Sequence, residues 1–372
     1  MSDVEGKFKS IVSSFLKLIF SSKLGREIEK SALKNILIIR QHDQLGDMLL
    51  AVPLLRALRE GFPGCSITLI ASPVNYQIMR NNPFLDAVLN YDKSILRKSL
   101  FASMKFYKTV RSKKYDLAIV PSTISISMTS NLMVRFCGAR YRIGPNSLNG
   151  IQNPTAFCFT HPVDLNWTTT PRLHHSARNL EILKPLGIHT EDLRSTIGLT
   201  RNEEKQGIEF LTEIRKRHKL LVGFHPGAGH PENRWEAQKF ASLAGRLVKD
   251  YNAGIVVTSG PMDKVPIELV KQHLQCEYLL VENKSIRDVA AIIHNLDLFL
   301  ANDTGIMHVA GATKVNLLSL FGPSDPLLWA PVGVKNRYII AKGKTMESLS
   351  EEEVWNMIGI ILLEMGYKPE KR

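Results

Sequence analysis

Two series of short apolar runs, each spaced by segments of helical period, organise this chain. The first comprises Ile36–Arg40, Ser66–Ile70, Ala87–Asn90 and Asp116–Val120, with helices predicted through Leu49–Arg59, near Tyr76–Arg80 and around 97–112. The second comprises Leu220–Phe224, Gly254–Thr258, Tyr278–Val281, Leu298–Ala301 and Val315–Ser319. Strands too short and too uniformly apolar to alternate, separated by helices, imply βαβ units and parallel sheets buried on both faces. The predicted class is therefore α/β: two Rossmann-like, doubly wound parallel-sheet domains facing a central cleft. Ligands of open α/β sheets sit beyond the carboxyl ends of the strands, so the loops that follow strands should carry the chemistry.

Between the series, a helix is predicted over His174–Leu186, and the polar stretch ending Thr200–Glu204 places a hinge near 190–202. Ser350 and Glu353 form a capping-box pattern opening a last helix to Met365. The reading divides the chain into an extension (1–30), an N-terminal domain (31–195), a C-terminal domain (196–345) and a terminal helix (346–372). Within the extension, Phe8, Ile11, Val12, Phe15, Leu16 and Ile19 make one helical stripe beside Lys7, Lys9 and Lys17. Such a basic amphipathic helix suits an in-plane membrane anchor or a helix packed on the protein's own surface, and the pattern leaves both open.

The 372 residues carry a net charge of +13, with 44% apolar and 22% charged positions. The excess is uneven: residues 1–200 hold 26 Lys and Arg against 14 Asp and Glu, residues 201–372 hold 22 against 21. An anionic partner is therefore expected on the first half. Nucleic acid is the common partner of such a bias, but the bases are scattered and match no helix-turn-helix, RRM or zinc-finger pattern; an anionic lipid surface or a phosphorylated glycolipid fits as well. Cys65, Cys137, Cys158 and Cys276 lie far apart, so reduced core residues are expected rather than disulfides or a zinc site. No apolar run approaches the ~20 residues that span a bilayer, and Lys17 interrupts the only signal-like stretch, so a cytoplasmic protein is expected.

Three loops carry candidate chemistry. The first, Arg40–Pro53, places Gly46 and Asp47 at a helix start after the first strand. Gly46 permits positive φ or close backbone approach; Asp47 suits a helix cap or a general base, and Asp43 is a second acid. The second, Asn302–His308, contains Asp303, Thr304, Gly305 and His308. Helix-start amides with small neighbours suit a phosphate, while Asp303 suits an N-cap or an acceptor for sugar hydroxyls, and His308 one turn on should point back toward the same pocket. The third, Phe224–Trp235, contains Gly227 and Gly229 with Arg234 as a counter-charge for a diphosphate. Absences narrow the class. There is no Gly-x-Gly-x-x-Gly for a dinucleotide, no P-loop because Tyr338 stands where its first Gly belongs, and no Asp-x-Asp to hold a bridging metal.

Arg40-x-x-Asp43-x-x-Gly46-Asp47 with Pro53, the loop ending Arg234-Trp235, and Asn302–His308 followed by Leu320–Pro326 together resemble the ADP-heptose:lipopolysaccharide heptosyltransferases. That is glycosyltransferase family nine, inverting enzymes of the GT-B fold, and the similarity runs from about residue 34 to 335. The resemblance implies that Asp47 is the catalytic base and that Asp303, Thr304, Gly305 and His308 line the donor site; Gly46 and Gly227, from their strand-end loops, are further donor-site candidates. Many members carry Lys-x-Trp or Lys-Arg-Trp near this loop, whereas this chain reads Asn233-Arg234-Trp235 and offers Arg234 as the cation; Lys and Arg meet phosphate with different geometry. It further implies ADP-heptose as donor, the lipid A-linked inner core of lipopolysaccharide as acceptor, no cofactor and no metal. Arg40, Arg135, Arg140 and Arg142 are candidate acceptor contacts, and the enzyme is expected at the cytoplasmic face of the inner membrane. Two alternatives stay open: a transferase or epimerase of the same fold acting on another nucleotide sugar, and a non-catalytic protein that binds anionic lipid.

Overall fold

The computed structural model describes residues 25, 27–94 and 99–370. The amphipathic stripe at residues 7–20 lies outside the described residues. The chain divides into two compact units between Leu193 and Arg194.

The first unit is built on a sheet of order β3-β2-β1-β4-β5-β6, where β1 is Asn35–Arg40, β2 Ser66–Ala71, β3 Ala87–Asn90, β4 Leu117–Ile119, β5 Tyr141–Leu148 and β6 Ile151–Gln152; β7, His161–Leu165, pairs with β5. All pairings are parallel except the β5–β6 hairpin. Five of six residues in β1 and in β2 are buried, as continuous apolar runs in a covered parallel sheet must be. Each fully buried Ile or Leu contributes about 1.5–3 kcal/mol, so the runs that predicted the strands also hold them in register. Sequence periodicity did not mark β5 and β7. Gly144 and Pro145 interrupt β5, where the register with β7 shifts, and a Cβ on Gly144 would lie 2.0 Å from the Phe159 ring. The end of the predicted extension belongs to this unit: Gly25 donates its amide to the Thr160 carbonyl, and Ile28 is buried.

The second unit repeats the design with a wholly parallel sheet of order β10-β9-β8-β11-β12-β13. Here β8 is Leu221–His225, β9 Gly254–Thr258, β10 Tyr278–Val281, β11 Leu298–Asn302, β12 Asn316–Phe321 and β13 Asn336–Ile340. The polar stretch assigned to the hinge opens a helix, Arg201–Arg217, through a reciprocal Thr200–Glu203 capping box. Buried Arg287 braces the same Glu203 at 2.5 Å and holds its carboxyl down at about 2. The last helix, Glu351–Glu364, starts at the Ser350–Glu353 box and sinks Val354, Ile358 and Leu362 into this unit's core. In both sheets the strand order reverses beside the first strand, β1 or β8, and the open ends there are where a ligand can reach backbone.

Candidate active site

In the first unit β1 ends at Arg40 and the chain turns through residues 41–44 into a short helix, Leu45–Leu49. The turn is fixed from three sides. The Ser72 hydroxyl and the Asn75 amide both donate to the His42 carbonyl, and the Gln41 amide reaches the Ser130 hydroxyl at 3.2 Å. Asp47 follows in the helix, half-buried, and among the described residues its carboxylate has no hydrogen-bond partner. Burial pushes its carboxyl above the usual carboxylate range, and the Arg40 charge pulls the other way. Asp43, the second candidate, is exposed and paired with Lys93 at 3.2 Å, so its charge is already met at the surface.

Several expectations change here. Gly46 lies inside the helix and has ordinary helical backbone, so positive φ is not what it supplies. Arg40 is 4% exposed and donates to the Asn179 side chain at 3.1 Å and to the Asp47 carbonyl at 3.0 Å, with its Nε buried and unpaired. It is a buried brace for the Asp47 turn and not a contact for an incoming acceptor. Asn179 completes the brace by donating to the carbonyls of Leu50 and His175. Arg142 is likewise engaged inside, at 2.8 Å from the Cys158 carbonyl and 2.7 Å from that of Ala139, and burial lowers its pKa. Arg140 is exposed and lies over the Tyr141 ring at 5.0 Å, while Arg135 is half-buried near Arg142.

In the second unit three loops meet through side chains whose partners no local sequence pattern marks. Asn302, fully buried at the end of β11, donates to the carbonyls of Pro226 and Gly227 and accepts from the Trp235 amide. It thereby ties both ends of the glycine-rich loop after β8 to the Asp303 loop. Ser324, after β12, donates to the Asp303 carboxylate at 2.5 Å. Asp303 is half-buried and its carboxyl is pushed up by burial, with the Ser324 hydroxyl and the His230 charge opposing. The residue capping the next helix, Gly305–Gly311, is Thr304, and no side chain caps it. The N-cap reading of Asp303 is therefore replaced by a hydrogen bond across to β12's loop. His308 lies one turn into that helix and is 5% exposed.

Arg234 is committed in part to its own loop, with Nε and Nη2 both on the Ala228 carbonyl at 3.0 and 2.8 Å. Gly227 is required by packing: a Cβ there would lie 2.1 Å from Asp263. That carboxylate is almost wholly buried, accepts the Gly260 amide at 2.6 Å and sits 3.4 Å from the His225 imidazole. His225 in turn contacts the Thr258 hydroxyl at 2.9 Å, and burial drives its pKa down while Asp263 opposes. Nothing local marks Asp263 as the partner of a loop 36 positions earlier, so sequence reading passed over it. Among the described residues no group of three or more His, Cys, Asp or Glu is placed to hold a metal ion.

Comparison with known proteins places these motifs in context. The family model described as glycosyltransferase family 9 (heptosyltransferase) matches residues 103–357. The chain is 26% identical over 297 residues to lipopolysaccharide heptosyltransferase 3 of Escherichia coli, which covers 77% of this chain and 83% of that protein. A glycosyl transferase family 9 structure from Veillonella parvula superposes with TM-score 0.77 at 23% identity, covering 91% of this chain and 99% of that one. The ADP-heptose LPS heptosyltransferase II of Escherichia coli follows at 0.72 and 20%, covering 89% and 99%. At these identities the structural likeness establishes the fold, the two-sheet GT-B architecture.

Proposed function

The chain belongs to glycosyltransferase family 9, the heptosyltransferases, and we propose that it transfers heptose from ADP-heptose to the inner core of a lipid A-linked lipopolysaccharide acceptor. The named activities of its relatives support the donor and the acceptor. The observation that carries the mechanism is Asp47: a half-buried carboxylate with no hydrogen-bond partner among the described residues, with raised pKa, at the switch point of the first sheet.

Asp47 takes the proton of an acceptor hydroxyl as that oxygen bonds to the anomeric carbon. The bond from that carbon to the diphosphate oxygen breaks on the opposite face, so ADP leaves and the centre inverts. Charge growing on the diphosphate is met by the amides of the glycine-rich loop and of Thr304–Gly305, and by Arg234. Gly46, Asp303 and His308 complete the donor site in this reading. No metal or cofactor takes part. Arg135 and Arg140, which keep access to solvent, meet the anionic acceptor. The enzyme works at the cytoplasmic face of the inner membrane, associated peripherally and without nucleic acid; no helix among the described residues is long and apolar enough to cross a membrane.

The test is release of ADP from ADP-heptose in the presence of lipopolysaccharide core lacking heptose, with the product's anomeric configuration read by NMR. Inverted product supports the reading. Donor converted without acceptor, or retention at the anomeric carbon, overturns it.

A further inference from the structure

Outside the site described, the most unusual surface of the first unit lies on helices Leu100–Ser112 and Met128–Phe136. Together with the β5–β6 hairpin they enclose an open groove of about 940 Å³, walled by Tyr107, Met128, Leu132, Phe136, Ile151 and Pro154. Large apolar side chains stand out on its wall and on the helix that forms part of it: Ile151 is 72% exposed, and Phe101 and Met104, on the Leu100–Ser112 helix, are 78% and 64% exposed. Phe101, Met104 and Tyr107 follow one another at three-residue spacing, so the apolar stripe runs from the groove along one helix face. A soluble surface rarely gathers exposed apolar groups in this way without a partner to cover them.

Charge identifies the partner. From Lys93 to Val163 the sequence holds eleven Lys and Arg and a single carboxylate, Asp116. That carboxylate is itself occupied by the Lys34 and Asn35 amides. Lys105, Lys108 and Arg111 are exposed on the helix that carries the stripe, and Arg140 is exposed beyond the second helix. An apolar groove with Arg111 and no carboxylate in its wall, on a helix that also exposes Lys105 and Lys108, matches the two layers of an anionic bilayer surface: acyl chain inside, headgroup phosphates outside. The groove is also tied to the chemistry, because one helix serves both. Its Ser130 receives Gln41 from the Asp47 turn, while its Met128, Leu132 and Phe136 line the groove.

We propose that this groove and its basic rim are the surface by which the enzyme docks on an anionic lipid bilayer. The proposal deepens the transferase reading and rests on its acceptor being anchored in a membrane. Binding of the full chain to phosphatidylcholine vesicles with and without phosphatidylglycerol, measured by co-sedimentation at low salt, tests it. Wild-type protein should bind the phosphatidylglycerol vesicles at least roughly tenfold more tightly, and the difference should shrink as salt rises. Ile151→Glu and Phe101→Glu, both at exposed positions where folding is not at stake, should each weaken that binding severalfold. Val334→Glu, at a 95% exposed position of the second unit, should leave it unchanged. Equal binding of Ile151→Glu, Phe101→Glu and wild-type protein overturns the proposal, as does an equal loss in Val334→Glu. ADP-heptose affinity, read by calorimetry on the same samples, keeps the two readings apart: wild-type protein that docks on vesicles and ignores the donor sinks the transferase and spares the docking surface.

Discussion

Asp47 and Asp303 occupy the same kind of place in two sheets of the same design, just past the carboxyl end of a strand that borders the switch point. Burial raises both carboxyls. They part in what touches them. Asp303 already holds the Ser324 hydroxyl at 2.5 Å, whereas among the described residues the Asp47 carboxylate has no hydrogen-bond partner and feels Arg40 through its charge. A carboxylate anchored to a neighbour is positioned to receive a ligand's hydroxyl as a hydrogen bond, and one held free beside a buried cation is positioned to take a proton away. Similar pKa direction thus does not mean similar role, and the contacts decide.

The largest effect should come from Asp47→Asn, with turnover lower by roughly 10²–10⁴, the range for a lost general base, and donor affinity retained. Asp303→Asn should instead weaken donor binding and lower turnover far less. If Asp303→Asn proves the more damaging to turnover with donor affinity intact, the base belongs to the second unit and the comparison reverses. The pH dependence carries the same sign. Asp47 acts ionised, so its raised pKa should place the acid limb of kcat/KM above the ordinary carboxylate range. Arg40→Gln, which removes the opposing charge, should move that limb higher still. Because a raised carboxyl costs stability once ionised, Asp47→Asn should be the more stable protein at neutral pH, by a margin that vanishes as pH falls below the unfolded carboxyl's pKa.

Arg234→Ala comes next, weakening ADP binding by about 1.5–3 kcal/mol for a charge-assisted contact. The structure sharpens this expectation, because two of its donors brace the Ala228 carbonyl. Arg234→Lys should therefore recover only part of the affinity; full recovery in calorimetry would mean that the charge alone matters and the brace does not. Asn302→Ala should cost about 1–3 kcal/mol in thermal or denaturant unfolding, since it strands the Trp235 amide and the Pro226 carbonyl. Its counterpart in the first unit is Asn179, which braces the Asp47 turn through Arg40.

These two asparagines mark the limit of what the chain's pattern displays. Strands such as Tyr278–Val281 are written in local runs of apolar residues, and the loops bearing Asp47 and Asp303 follow from strand and helix order alone. Asn302, Ser324, Asp263 and Asn179 act through partners 21 to 139 positions away, and periodicity carries no such information. The same holds for Arg40 and Arg142. Their charge is plain in the sequence, but the buried carbonyls and amides that absorb it are brought to them only by the fold.

The smallest expected effect is the one that tests the division of labour most directly: transfer should proceed unchanged in excess EDTA. Many nucleotide-sugar sites neutralise the departing diphosphate with a divalent cation held by paired carboxylates. Here the sequence has no Asp-x-Asp, and in the second unit Asp303 bonds Ser324 while Asp263 is turned inward to Gly260 and His225. With both acids engaged by protein groups, the proposed mechanism meets the charge with backbone amides and Arg234, which need no ion. Strict dependence of ADP release on added magnesium or manganese would mean that Asp303 or Asp263 gives up these contacts to bind a cation. The anchored carboxylate of the second unit would then do electrostatic work at the leaving group, and the contrast with Asp47 would have to be redrawn as metal ligand against proton acceptor.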